Sequence, residues 1–263
     1  MKKIVITGST RGIGFGLANE FLALGCGVTI SGRSGDVVGQ AVTRLKEKFP
    51  NAELLGVPCD VRRFDQVQAL WDAAKAHFGD IDIWINNAGI ANPVAAFWEQ
   101  SPEQVSDIIQ TNLIGAMNGA IVALNGMIAQ GFGAVYNLEG LGSGGGRKVF
   151  GLIPYGTSKA AMRYLDDALA EEVKGKPVIV GAIQPGMTST DMIRSQYRKN
   201  PEDFEKVKPI LNLISDRVEN VAPWIARRVL ANTKNGARIS YVSMVKIMGR
   251  FLMAPFRKRN VYD

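Results

Sequence analysis

Two cysteines and one histidine in 263 residues leave little material for a disulfide scaffold or a histidine-rich metal centre. Cys26 and Cys59 each stand in or beside an apolar, strand-like run, so they read as core thiols rather than as a bridge. The lone His77, near the end of a helix-like stretch, argues against a His-rich metal site and against a Ser-His-Asp triad. No secretory leader is visible, because residues 3–7 already read as a strand, and no apolar run of about 20 residues marks a membrane span. A cytoplasmic protein is the expectation. Aromatic residues are 8% of the chain and no aromatic-basic motif accompanies the positive charge, so nucleic-acid binding has little behind it. No internal repeat or composition break divides the chain, and a single domain over 1–263 is expected.

What the chain does have is 46% hydrophobic residues, enough for a sizeable core, and 29 glycines. It also has a net charge of +7, part of it at the end: from Met244 onward Lys246, Arg250, Arg257, Lys258 and Arg259 stand against Asp263 alone. Short apolar runs at about 3–7, 27–31, 53–57, 81–85, 134–138, 178–183 and 238–243 alternate with amphipathic stretches at about 13–24, 37–49, 64–78, 102–130, 155–174 and 218–232. Regular alternation of near-continuous apolar strands with helices predicts an α/β fold, a doubly wound parallel sheet of about seven strands covered on both faces. Two regions fall outside it. Residues 187–215 are inserted after the sixth strand, where an open α/β sheet carries a substrate lid. Their Met187, Met192, Tyr197, Phe204, Ile210, Leu211 and Leu213 would suit a bulky apolar substrate, or would pack on the protein itself. Residues 244–263 form a basic, apolar tail that reads as dimer packing or a cover for the site, with peripheral membrane contact as the other reading.

Directly after the first strand runs Gly8-Ser9-Thr10-Arg11-Gly12-Ile13-Gly14. Glycines between a strand and a helix let the backbone turn sharply and approach a pyrophosphate at the helix N-terminus, so this junction predicts dinucleotide binding. The second strand ends in Arg33-Ser34 where an acid would favour NAD. An arginine pairs instead with a 2′-phosphate, and Arg11 adds a second positive charge, which points to NADP. Asp36, at the start of the next helix, reads as a first-turn acid.

Tyr155 and Lys159 are four residues apart on a predicted helix and share one face. A nearby ammonium favours the phenolate and would draw the tyrosine's pKa down toward the working range, so the pair reads as a proton-transfer unit.

The glycine turn, Asp60-Val61, Asn86-Asn87-Ala88-Gly89, Asn112, Tyr155-x-x-x-Lys159 and Pro185-Gly186 occur in an order and spacing that resembles the short-chain dehydrogenase/reductase family, as far as about Thr190. The resemblance implies a Rossmann-type fold, a dimer or tetramer built on the long helices, and NADP(H)-dependent chemistry on alcohol or carbonyl groups. It implies that Asp60 and Val61 contact the adenine, and that Asn86, Asn87, Ala88 and Gly89 support the adenosine ribose and the sheet. Lys159 would hold the nicotinamide ribose beside Tyr155, and Asn112 would position a water in the proton relay. The backbone after Pro185-Gly186, with Thr188 and the Thr190 hydroxyl, would hold the carboxamide.

The family usually places a serine hydroxyl on the substrate oxygen, and here the chain departs from the pattern. Asn137-Leu138-Glu139-Gly140 has no serine until Ser143, 12 residues before Tyr155. Either a glycine-rich turn carries Ser143 into the site, or Gly140 occupies the serine's place. The run Glu139-Gly140-Leu141-Gly142-Ser143-Gly144-Gly145 resembles the corresponding turn of chlorophyll b reductases, as do the stretches around 185–192, 210–214 and 219–228. That branch would make the substrate the 7-formyl group of chlorophyll b. The other readings are a reductase of a steroid-like or polyketide ketone, and an NADP-sensing binding protein without turnover.

Overall fold

A computed structural model describes residues 1–144, 150–198, 201–254, 256 and 259–262. Gly145 of the turn motif, and Arg257, Lys258 and Asp263 of the tail, lie outside the described residues. In chain order the elements are β1 (Lys3–Ile6), α1 (Gly12–Ala23), β2 (Gly27–Gly32), α2 (Gly35–Lys48), β3 (Leu54–Pro58), α3 (Phe64–Phe78), β4 (Ile83–Asn86), α4 (Pro102–Ile109) and α5 (Gly115–Gln130). There follow β5 (Ala134–Leu138), α6 (Ile153–Glu172), β6 (Ile179–Gln184), β7 (Thr188–Ser189), α7 (Asp191–Gln196), α8 (Pro201–Ile214), β8 (Asp216–Arg217), α9 (Val218–Ala231), β9 (Ala237–Ser240) and α10 (Met244–Met253).

Seven strands form one parallel sheet in the order β3-β2-β1-β4-β5-β6-β9. The order reverses between β1 and β4, so the loops at the carboxyl ends of those strands part and leave a crevice for a ligand. Strand residues point alternately to the two faces. Ile4 and Ile6 therefore enter one core with Leu17, Phe21, Ile30 and Ile225, while Val5 enters the other with Trp71, Trp84, Met127 and Val180. Both faces are buried, which is why the strands read as unbroken Val/Ile runs rather than alternating ones.

The stretch 102–130 is one continuous helical path, but it carries a π turn at Gln110–Ile114. By length and composition it is long and apolar enough to cross a membrane, although no unbroken apolar run of about 20 residues marks it in the sequence. Its packing is that of a core helix: a side chain at Gly126 would strike Trp71, and one at Gly119 would strike Asn86.

Residues 187–215 fold as β7, α7 and α8, and much of their apolar surface turns inward. Phe204 and Leu211 form a satellite core with Tyr262 of the tail, and Met187, Ile193, Tyr197, Val207, Ile214 and Val261 pack against it. Four of the residues read as lining for a bulky substrate are thus spent on the protein itself, whereas Ile210 is exposed and Met192 and Leu213 are half-buried. Three described cations of the tail gather at a buried acid. Arg250 and Arg259 (Nη2, at 3.0 Å) reach the buried Asp216, and Lys246 stands 3.7 Å from it. Asn212 Oδ1 accepts the backbone N–H of Val261 at 2.8 Å and of Tyr262 at 3.0 Å, which fastens the chain end to α8.

Candidate active site

The glycine turn is built by packing as much as by any ligand. Gly8 has φ 61° and a Cβ there would stand 2.6 Å from Ala88 Cα, while a side chain at Gly14 would collide with the Asn87 amide. Asn87 Nδ2 donates to the Thr7 carbonyl at 2.8 Å and the Gly8 carbonyl at 2.9 Å, so its amide ties β4 to the turn. Ser9 is likewise consumed: its hydroxyl donates to Ile6 O at 2.6 Å and accepts from Ser31 N at 2.9 Å. Ser9 and Asn87 thus shape the cradle and offer a ligand chiefly backbone. Gly12, at φ 59°, faces Thr190 across the crevice, with 3.6 Å from its would-be Cβ to Thr190 Cγ2. The first turn of α1 has no acid and no capping side chain. Its unpaired N–H groups and positive dipole end remain available to a phosphate, so these residues fit a dinucleotide.

Arg33 ends β2 exposed, and the adjacent Ser34 caps α2, its hydroxyl accepting from Val37 N at 3.5 Å. Asp60 is bound by Arg62, whose Nε lies 3.0 Å from both carboxylate oxygens. That guanidinium holds the Asp60 carboxyl below its ordinary range, and Arg33 adds to the effect from a greater distance. The charge of Arg33 therefore points into the region where β2 and β3 end. Arg11, also exposed, stands at the N-terminal boundary of α1.

Tyr155 and Lys159 occupy the first two turns of α6, after Pro154 in the first turn. The Lys159 ammonium lies 6.0 Å from the Tyr155 ring centroid and donates to Leu138 O at 2.7 Å. Burial pushes the Tyr155 phenol up to about 12 and Lys159 down to about 8, with Asp166 and Glu139 opposing the fall of the lysine. The expected lowering of Tyr155 by Lys159 is thus reversed: the ammonium is spent on a backbone carbonyl, and desolvation of the phenolate wins.

The two candidates for the serine's place sit one behind the other. The Tyr155 hydroxyl abuts Gly140, where a Cβ would collide with it, so Gly140 occupies the position nearest the reacting oxygen. Ser143 is buried in the following turn, and its hydroxyl donates to the Gly140 carbonyl at 2.8 Å. A side chain at Gly142 would strike the Gly156 backbone, so the turn packs directly onto the start of α6. Asn112 lies in the π turn, fully buried. Its Oδ1 accepts from Ile90 N at 2.8 Å, and its Nδ2 donates to Ile90 O at 2.9 Å and Ser158 Oγ at 3.0 Å. Both amide hydrogens are used, so the side chain locks α4–α5 to the segment after β4 and to α6. Gly89 adjoins the same amide, with 3.3 Å from its would-be Cβ to Asn112 Oδ1. Val61 packs its side chain against Gly115 at the start of α5. Pro185 is buried, Gly186 turns at φ 73°, and Thr188 donates to Gly186 O at 3.4 Å.

Sequence reasoning missed a polar layer beneath this pair. Asn137 joins Asn86 at 2.8 Å and Asp166 at 2.5 Å. Glu139 receives Arg238 Nε at 3.0 Å and the Gln184 amide. One signal was available: Asp166 lies two helical turns after Lys159 and so falls on the same inward face.

The doubly wound sheet, the phosphate-ready turn and the tyrosine–lysine pair are the arrangement of a short-chain dehydrogenase. Residues 2–201 match the family model for short chain dehydrogenases, and the chain belongs to that family. It is 35% identical to "Chlorophyll(ide) b reductase NOL, chloroplastic" of Oryza sativa subsp. japonica, over 88% of this chain and 67% of the relative. It is 33% identical to "Probable chlorophyll(ide) b reductase NYC1, chloroplastic" of the same plant, over all of this chain but 54% of the relative, so it spans about half of that protein's length. A 3alpha-hydroxysteroid dehydrogenase of Mediterraneibacter gnavus is 34% identical over 73% of this chain and 76% of its own. Among solved structures, levodione reductase superposes with a TM-score of 0.84 at 24% identity, covering 93% of this chain and 97% of that one. That likeness bears on the fold.

Proposed function

We propose that this chain is an NADPH-dependent carbonyl reductase acting on an aldehyde or ketone of a bulky apolar molecule, with the 7-formyl group of chlorophyll b as the leading substrate. The observation that carries the reading is the bare Gly140 against the Tyr155 hydroxyl, with Ser143 in the turn behind it. Glycine lets the proton-donating hydroxyl sit directly against this turn, the same turn that resembles chlorophyll b reductases. Bound NADPH supplies a hydride to the carbonyl carbon. Tyr155, kept protonated by burial, gives its proton to the carbonyl oxygen as the C=O π bond becomes O–H. Ser143 turns its hydroxyl from Gly140 O to orient that oxygen, and Lys159 holds the ribose hydroxyls and returns a proton to Tyr155. Asn112 keeps the floor of the site rigid, and Thr188 and Thr190 hold the carboxamide. Arg33 and Arg11 provide the charge for the 2′-phosphate, next to Asp60 and Val61 at the adenine end.

The similarity to a hydroxysteroid dehydrogenase favours a second reading, with the same chemistry on a lipophilic ketone or alcohol. Exposed Ile121 and Ile128 on α5 and Tyr164 on α6 support a homodimer or homotetramer through those helices. Exposed Val245, Met248 and Leu252 on one side of α10 support peripheral membrane contact by the tail. The decisive experiment is NADPH oxidation with chlorophyll b and a panel of steroid and polyketide carbonyls. Turnover of chlorophyll b to the 7-hydroxymethyl product is expected. Turnover of a steroid alone would transfer the assignment to the second reading, and tight NADPH binding without turnover of any carbonyl would end both.

A further inference from the structure

Beneath the Tyr155–Lys159 pair lies a buried acid pair that the hydride chemistry does not use. Glu139, one residue beyond β5, is 1% exposed, and Asp166 of α6 is 4% exposed. Asn137, which binds Asp166, and Glu139 are two positions apart and so share one face of the strand path, and Glu139 raises the Asp166 carboxyl; two ionised carboxylates placed together are both acceptor-only and repel. The partners decide where the proton sits. Glu139 receives two donors, the cationic Arg238 and the Gln184 amide. Asp166 receives only the neutral Asn137 amide on Oδ1, and its Oδ2 is buried with no donor pointing at it. A proton on Asp166 Oδ2 converts that orphan into a donor to Glu139 and satisfies both groups.

The charged groups around the pair are few. Lys159 lies on the same face of α6, and Arg238 enters from β9 and also binds Asp167 at 3.0 Å. Arg163 pairs with Asp167 on the outer side at 3.2 Å, while β5 and β6 contribute the neutral Asn137 and Gln184. Lys159 itself touches a carbonyl dipole, Leu138 O, next in sequence to Glu139, and the negative groups that act on it are Asp166 and Glu139.

We propose that Glu139 and Asp166 act as one acid pair holding a single proton, and that the one negative charge they keep holds the buried Lys159 in its ammonium form. They are positioning residues, acting on Tyr155 through Lys159. Two charges would repel each other in a buried site, and none would leave the lysine to desolvation alone. Burial, reinforced by Glu139 and opposed by Asn137 and Arg238, pushes Asp166 up to about 8, in line with a proton kept at neutral pH. The consequence for turnover rests on the carbonyl-reductase reading, but the proton itself can be read without substrate.

The test combines infrared spectroscopy with ¹⁵N NMR of Lys159 in the resting protein. At pH 7 the wild type should show a protonated-carboxyl band that Asp166→Asn removes. In the double variant Glu139→Gln with Asp166→Asn, the Lys159 titration midpoint should fall by about one pH unit or more. In Glu139→Gln alone, Asp166 loses its like-charged neighbour and ionises. The band should then vanish while the lysine midpoint stays within about half a unit of wild type. This single variant also serves if Asp166→Asn does not fold. A wild type without the band, a band that survives Glu139→Gln, or a double variant with the wild-type midpoint would overturn the proposal. Loss of turnover with these spectroscopic results intact would count against the proposed function instead.

Discussion

The Tyr155 hydroxyl rests against the backbone of Gly140, with no room for a methyl group between them. Gly140→Ala should therefore push the phenol off its position rather than unfold the chain, because the atom struck is the end of a side chain. A misplacement of about 1 Å at a reacting group costs roughly 10²-fold in rate. The expected result is that loss in kcat for carbonyl reduction with thermal unfolding little changed. Full activity would mean that the hydroxyl has another productive position.

Ser143 is the other half of that arrangement, since its hydroxyl donates to Gly140 O. Removing a single donor to a developing oxyanion costs about 10²–10³-fold in kcat. Ser143→Ala should show such a loss with KM changed little. An unchanged kcat would leave Ser143 as a turn-stabilising residue and hand the carbonyl to Tyr155 alone.

The pH profile follows from burial. Reduction requires the Tyr155 phenol and the Lys159 ammonium, and these are pushed up to about 12 and down to about 8. The lysine therefore loses its proton first as pH rises. The rate of carbonyl reduction should be flat through neutrality and fall above about pH 8, approaching about tenfold per unit. A rate that climbs with pH over this range would show that the lysine charge is not required.

The sheet was legible in the sequence because buried parallel strands are short apolar runs set between amphipathic helices. The stretches expected at about 64–78 and 134–138 coincide with α3 and β5. The glycine turn and the Tyr155–Lys159 pair were legible because each is local, fixed by spacing along one turn or one helix. The parts that were not legible depend on contacts far apart in the chain. The inward turn of Phe204 and Leu211 depends on Tyr262, and the layer under Lys159 joins Glu139 to Arg238 across 99 positions. The sign of the Tyr155 shift failed for a related reason. Spacing shows that a lysine is near, but not that Leu138 O takes its charge or how dry the site is.

Arg33 tests the cofactor assignment apart from the chemistry. It is exposed at the end of β2. A charged hydrogen bond to a 2′-phosphate is worth about 1.5–3 kcal/mol, or about 10–100-fold in affinity. Arg33→Ala should weaken NADPH by that factor and leave NADH nearly unchanged, measured by fluorescence titration of each. Equal losses for the two would remove the preference for NADP.

Asp216 ties the insertion 187–215 to the tail. It is 5% exposed and receives Arg250, itself 9% exposed, together with Arg259 at 3.0 Å. Lys246, more exposed and at 3.7 Å, adds little. Asp216→Asn leaves the Arg250 guanidinium buried without its counter-charge, and breaking a buried pair in this way costs roughly 3–5 kcal/mol. The loss should fall on α8, α10 and the tail, because Asp216 sits between them and the sheet core does not depend on it. Denaturant unfolding should show the destabilisation, and limited proteolysis should cut first within 187–215 or 244–263. Removing Arg250 together with Asp216 should restore part of the stability, since no unpaired charge then remains buried. Wild-type resistance in Asp216→Asn would show that the satellite core of Phe204, Leu211 and Tyr262 holds the insertion by itself.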